Sequence, residues 1–290
     1  MQDLFHMGQI FKELRIGRNI SLKEATGDQF SYSMLSRFEN GESDLSAQKL
    51  LVALENIRTD LSEFVYLVRG FKPTAYTRLK REIWHYQEKK DQESLTKLYE
   101  QEITNYQANP KQPYHLLNAI LIKGHMVMFD ESIEATSEEL SFLYDYLFSV
   151  EIWGLYELSF FADVSPLLNL DLYFRYTREM LQRVDFFVSL EEHRTYIQSI
   201  LLNGFLKSID EKNSMRASYF QKKIEEYSFT ENSMYLRTVH LFATGQFEHV
   251  KGNQAQGVSK MKDAIRIFRL LNCTESADYY EEGLKAILKI

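Results

Sequence analysis

The chain is poor in the residues that punctuate or cross-link a fold. Four prolines and twelve glycines in 290 residues leave little material for the many tight corners of an all-β sandwich or barrel. A single cysteine, Cys273, closes no intrachain disulfide and cannot build a zinc cluster. Apolar runs such as Ala119–Ile122 and Met126–Phe129 are far shorter than the roughly 20 residues needed to cross a bilayer. The first residues, with Asp3 and His6 among them, lack a basic stretch leading into an apolar one, so no secretory leader is expected there.

Catalytic patterns are missing as well. The seven histidines (His6, His85, His115, His125, His193, His240 and His249) are scattered, and none stands in a His-Glu-x-x-His pair that would set two ligands on one helical face. No Gly-x-Ser-x-Gly elbow occurs. Gly252 and Gly257 are spaced like the outer glycines of a phosphate loop, but Val258-Ser259 follows where Lys-Ser/Thr is required, and the stretch reads as a helix–helix turn. Neighbouring acids such as Glu138-Glu139 and Glu191-Glu192 read as solvated residues near helix N-termini. No enzyme activity, metal or cofactor is expected, and no membrane partner.

What the chain does have is apolar and helical in its spacing. An apolar fraction of 44%, with 14% aromatics, excludes a disordered chain, and the length suits about two domains. The net charge of −7, taken whole, disfavours nucleic acid, yet it is unevenly spread. Residues 1–90 hold 14 basic and 12 acidic side chains, whereas residues 91–290 hold 20 and 29. Such asymmetry marks two parts with different tasks. Lys72, Arg78, Lys80, Arg81, Lys89 and Lys90 form a basic stretch between them, read as a solvated linker helix.

In the first part, Met7, Ile10, Phe11 and Leu14 share one helical face, predicting a helix over about 4–18. Ser21 with Glu24 is a capping-box pair for a short second helix stopped by Gly27-Asp28. Ser31 caps a third helix through Asn40, closed by Gly41. Ser46 caps a fourth with the stripe Leu50, Leu51, Leu54 and Ile57, and Asp60 or Ser62 starts a fifth. The second and third helices form a helix-turn-helix arrangement. On the third, Leu35 and Phe38, with Met34 near the edge, are expected to pack inward. Ser33, Ser36, Arg37 and Asn40 make a polar stripe on another face, able to hydrogen-bond base edges and phosphates.

From about residue 75 onward the spacing predicts consecutive amphipathic helices over roughly 75–90, 92–107, 113–129, 137–149, 151–163, 168–184, 190–208, 213–228, 231–249, 253–271 and 275–289. Pairs of them occupy about 35–45 residues, the scale of divergent tetratricopeptide-like repeats, which stack into a curved array with a concave face. Residues Arg81, Asn118, Tyr144, Phe148, Arg175 and Asn203 are of types that could hold a peptide's backbone, apolar side chains or carboxylate.

Ile20-Ser21-Leu22-Lys23-Glu24-Ala25 and Leu35-Ser36-Arg37-Phe38-Glu39-Asn40-Gly41 resemble the XRE/Cro/C1-type helix-turn-helix. The longer run from Phe30-Ser31 to Leu45-Ser46, together with Trp153-Gly154-Leu155-Tyr156-Glu157-Leu158, resembles the Rgg/GadR/MutR regulators. The resemblance is sharp over about residues 7–64. It implies an all-α chain: a helix-turn-helix domain (1–66), a linker helix region (67–90) and a right-handed superhelix of tetratricopeptide-like hairpins (91–290). It further implies binding of a double-stranded operator and control by a short hydrophobic signalling peptide in quorum sensing. The composition points to the cytoplasm, a homodimer is expected because a single small helix-turn-helix rarely binds tightly enough, and recruitment of RNA polymerase is one mode of action. Arg15, Arg18, Lys23, Ser33, Ser36, Arg37 and Asn40 are the candidate DNA contacts; for Arg15, an internal ion pair with Glu39 is the alternative. Lys23 stands near a position where relatives often carry Gln. A ligand-independent repressor and a helical-repeat adaptor are the competing readings.

Overall fold

The computed structural model describes residues 5–130, 132–184 and 187–288. Residues 4 and 289, the expected outer ends of the first and last helices, lie outside them. Among the described residues the chain is α-helical with no strand, and it divides into two units between His85 and Tyr86.

The first unit contains α1 (Phe5–Gly17), α2 (Leu22–Thr26), α3 (Tyr32–Glu39), α4 (Ala47–Asn56) and α5 (Leu61–Val68). Its helix starts are fixed by short-range chemistry. The Ser21 hydroxyl accepts the Glu24 N–H while the Glu24 carboxylate accepts the Ser21 N–H, so two otherwise orphaned donors are satisfied. Ser31, Ser46 and Asp60 cap α3, α4 and α5. Gly27 ends α2 at φ +54°, and the side-chain amide of Asn56 reaches across to the Ala25 carbonyl at 3.0 Å, tying the α2–α3 turn to α4.

Phe11, Leu35, Phe38, Ala53, Leu54, Ile57 and Phe64 form the core of this unit. The Phe11 ring meets Phe38 and Phe64 edge-on, with centroids 6.2 and 6.5 Å apart, a favoured geometry for aromatic pairs. Leu51, expected on the buried stripe of α4, is exposed, because Leu54 and Ile57 already fill the contact. Gly8 lets α1 approach α3 directly: a Cβ there would stand 1.9 Å from the Phe38 carbonyl oxygen.

Helix α6 spans Ala75–Glu88. In the second unit follow α7 (Gln92–Ala108), α8 (Pro113–Met126), α9 (Ser137–Ser149), α10 (Leu155–Val164), a 3-10 turn (Ser165–Leu167), α11 (Leu170–Arg183), α12 (Glu191–Asp210), α13 (Ser214–Glu226), α14 (Met234–Val250), α15 (Gln254–Leu270) and α16 (Thr274–Leu288). Helices α7 and α8, α12 and α13, and α14 and α15 pack as antiparallel hairpins, while α8, α10, α12 and α14 succeed one another as neighbours. Helix α10 starts four residues later than the periodicity predicts, because the Gly154 N–H donates to the Glu157 carboxylate and fixes the first turn there. The Gly252–Gly257 stretch is a turn at Gly252 (φ +100°) leading into α15. Gly245 and Gly257 pack α14 and α15 together closely enough that a Cβ on either would fall about 2.5 Å from the other's carbonyl oxygen.

Helix α8 is buried nearly all round from Leu116 to Met126 and takes Lys123 in with it. The Lys123 ammonium meets the Glu139 carboxylate at 2.5 Å, and Glu139 also accepts the Tyr99 hydroxyl and the Thr136 N–H, each at 2.7 Å. Burial by itself would raise the Glu139 carboxyl. Hydrogen bonds from Lys123, Thr136 and Tyr99 outweigh it and hold the group below its ordinary value. That stability is present above the ordinary carboxyl range of about 4.3 and is lost as pH falls through the lowered folded value.

Two outcomes follow from these contacts. Gly8→Ala should lower stability by about 1–3 kcal/mol through overpacking, read as a fall in thermal midpoint. Glu139→Gln should flatten the loss of stability between about pH 5 and pH 3 seen in urea unfolding of the wild-type chain.

Candidate functional site

The seating of α3 decides what the first unit presents. Arg15 on α1 is buried, and its Nε and Nη2 donate to the two Glu39 carboxylate oxygens at 2.6 Å each. Its Nη1 donates to the Ile20 carbonyl at 2.8 Å. The hydrogen bonds it donates to Glu39 raise the Arg15 guanidinium further above its already high value. This forked geometry uses both ends of the group, so Arg15 acts inside the fold and leaves the set of candidate DNA contacts. The internal alternative is the one the structure contains.

With Leu35, Phe38 and Glu39 turned inward, the opposite side of α3 faces out. Ser33, Arg37 and Asn40 are exposed and Ser36 is half-buried. Arg18 and Lys23 are exposed on the neighbouring elements, Arg18 donating to the Leu14 carbonyl at 3.3 Å. Two lysines missed in the sequence adjoin this stripe. Lys12 on α1 donates to the Asn40 side-chain oxygen at 3.3 Å, and Lys49 on α4 lies 3.7 Å from the Met34 sulfur. Their spacing to α3 is tertiary, so no local pattern marks them. Arg37 has an exposed acid nearby, Glu42, at 3.8 Å, a pair too solvated to hold it.

In the second unit the candidate peptide residues are spread over separate helices. Asn118 on α8 donates to Glu102 at 3.1 Å, and His115 meets the same carboxylate at 2.9 Å. Tyr144 stacks on Tyr176, with centroids 6.3 Å apart. Arg175 lies 3.7 Å from Glu179. Phe148 is exposed and Asn203 half-buried, whereas Arg81 falls in the first unit. These residues do not converge on one described cavity. A cavity of about 820 Å³ lies instead along α14, walled by Phe229, Met234, Arg237, His240, Leu241 and Ile267 among others. Burial lowers the His240 imidazole, keeping it neutral near pH 7, so Arg237 and Glu231 supply the charge there.

Residues 94–282 match the C-terminal domain of the HTH-type transcriptional regulator Rgg, about two thirds of the chain. The chain belongs to the Rgg family. This Rgg-family chain is similar over its whole length to the SHP pheromone receptor Rgg2 of Streptococcus dysgalactiae, at 28% identity and a TM-score of 0.81, covering 97% of this chain and 99% of that one. A transcriptional regulator of Listeria monocytogenes EGD-e gives the same TM-score at 19% identity, over 100% and 98% of the two chains. The PrgX/cCF10 complex matches at 0.70 and 15% identity, over 96% and 98%. The last two similarities speak to the shared helical-repeat fold. Among the described residues of this Rgg-family chain, no helix is long and apolar enough to cross a membrane, and no group of three or more His, Cys, Asp or Glu could hold a metal ion.

Removing one partner of the Arg15–Glu39 pair should cost about 3–5 kcal/mol, because the other charge stays buried and uncompensated. Glu39→Gln should therefore speed hydrogen exchange at the α1 and α3 amides, while Arg18→Ala, which removes an exposed group, should leave it unchanged.

Proposed function

We propose that this Rgg-family regulator reads a double-stranded operator through α3 and is controlled by a short apolar signalling peptide bound by its second unit. The observation that carries the reading is family membership across residues 94–282, joined to an α3 whose polar stripe faces solvent. On this reading residues 1–66 form a helix-turn-helix domain, 67–90 link it, and 91–290 bind peptide and dimerise. Ser33, Ser36, Arg37 and Asn40 meet base edges and phosphates, with Arg37 suited to fork onto guanine. Arg18 and Lys23 hold phosphates, positioning the unit without reading sequence.

A homodimer would place two α3 helices in successive major grooves of an inverted repeat. The chain works by binding, in the cytoplasm, where an imported peptide and the operator are both present, and RNA polymerase is the partner through which it acts if it activates. The pheromone-receptor relative Rgg2 supports a peptide as ligand. The apolar walls of the α14 cavity, with Arg237 among them, suit an apolar peptide ending in a carboxylate, and Asn118, Tyr144, Phe148, Arg175 and Asn203 of the same unit remain proposed contacts for its length. Control requires the peptide to bind two states of the regulator with different affinity.

The test is selection of duplexes from a random pool by the full-length chain, followed by binding measurements. Arg37→Ala should abolish preference for the enriched site. Glu42→Gln, which removes the acid beside Arg37, should tighten binding severalfold and steepen its salt dependence. Fluorescence polarisation with labelled apolar peptides should give saturable binding that Arg237→Ala weakens. A response to no peptide favours a ligand-independent repressor, and no enriched duplex favours a helical-repeat adaptor.

A further inference from the structure

Helix α3 carries two large apolar side chains that its packing does not use. Tyr32, its first residue, is 63% exposed and Met34 is 38% exposed, whereas Leu35 and Phe38 from the same helix are almost wholly buried. At about 100° per residue, Tyr32 and Met34 stand on either side of Ser33, so the polar stripe is flanked by an aromatic ring and a thioether. Cations adjoin this surface: Arg37 on α3, Lys49 beside the Met34 sulfur and Lys12 at Asn40. An apolar protein partner would have to bury those charges, whereas a nucleic-acid groove neutralises them with phosphate.

Among the groups that base pairs display in the major groove, the C5-methyl of thymine is the apolar one. We propose that Tyr32 and Met34 read thymine C5-methyl groups beside the base contacted by Ser33 and Arg37. This rests on the reading of α3 as the DNA-contacting helix, and it adds the class of base that the site selects. A flat ring with few rotatable bonds suits a fixed methyl contact. The flexible thioether adapts to the second, its sulfur 3.7 Å from the Lys49 ammonium. The half-site should therefore carry thymines close to the base that Arg37 selects.

The experiment replaces dT by dU, one position at a time, in the duplex enriched by the full-length chain. The change removes only the methyl group. At one or two positions it should weaken wild-type binding about fourfold, the worth of one buried methyl-sized group. Tyr32→Ala or Met34→Ala should bind the dT and dU duplexes alike at the matching position, while Tyr32→Phe should keep the difference. Equal binding of dT and dU duplexes by the wild-type chain overturns the inference while leaving α3 as reader. A change in oligomeric state on Tyr32→Ala, with the dT preference intact, overturns it too and makes this face a subunit contact. Failure to enrich any duplex removes the DNA reading itself, and this inference with it.

Discussion

A guanidinium and a carboxylate buried between α1 and α3 hold the first unit in register. Arg15 and Glu39 give up hydration that is expensive to lose, and only the forked geometry with a third bond to the Ile20 carbonyl repays it. The pair fixes three things together: the start of the α1–α2 turn, the rotation of α3 about its axis, and the distance between α1 and the end of α3. Gly8 serves the same distance by removing the side chain that would collide with the Phe38 carbonyl. Once α3 is held this way, Leu35 and Phe38 point into the core, and Ser33, Arg37 and Asn40 have nowhere to point but out. What the surface offers is thus a consequence of what the interior holds.

The second unit repeats that logic with different residues. Lys123 is carried in with a helix buried nearly all round and is satisfied by Glu139, which gathers Tyr99 and Thr136 around it, linking α7, α8 and α9 by polar bonds. Farther along, α14 and α15 meet glycine to glycine, a contact set by backbone distance. One end of the array is therefore specified by charge and the other by close packing. The cavity beside α14 lies next to that close-packed pair.

Much of the fold was legible locally. Ser21 with Glu24, Ser31, Ser46 and Asp60 are caps whose partners lie two or three residues away, and each helix they start was placed within a residue or two. The same holds for most helices of the second unit, where Gly, Asn and Asp interrupt strong periodicity. Long-range choices were hidden. Arg15 could pair inward or face phosphate, and only the arrival of Glu39 from 24 residues away decides it. Leu51 fits the apolar stripe of α4 and is nonetheless left in water. Lys123 sits in a run whose neighbours promise burial, and nothing beside it announces Glu139. The peptide candidates were chosen by residue type, and type does not say which helices adjoin; Asn118 and Arg175 proved to have acids for neighbours. The net charge of −7 is uninformative about α3 for a similar reason, since it belongs to residues 91–290 and not to the part bearing that helix.

On the proposed function, the outward stripe of α3 is what touches the operator. This is tested most directly by placing a photo-cross-linking side chain at Ser33 in the full-length chain, with the same side chain at Ser62 on α5 as control, and irradiating each with the enriched duplex. Adducts from position 33 should map to a few adjacent bases of the half-site, and none should form from position 62. Adducts from position 62 without any from position 33 would contradict that function.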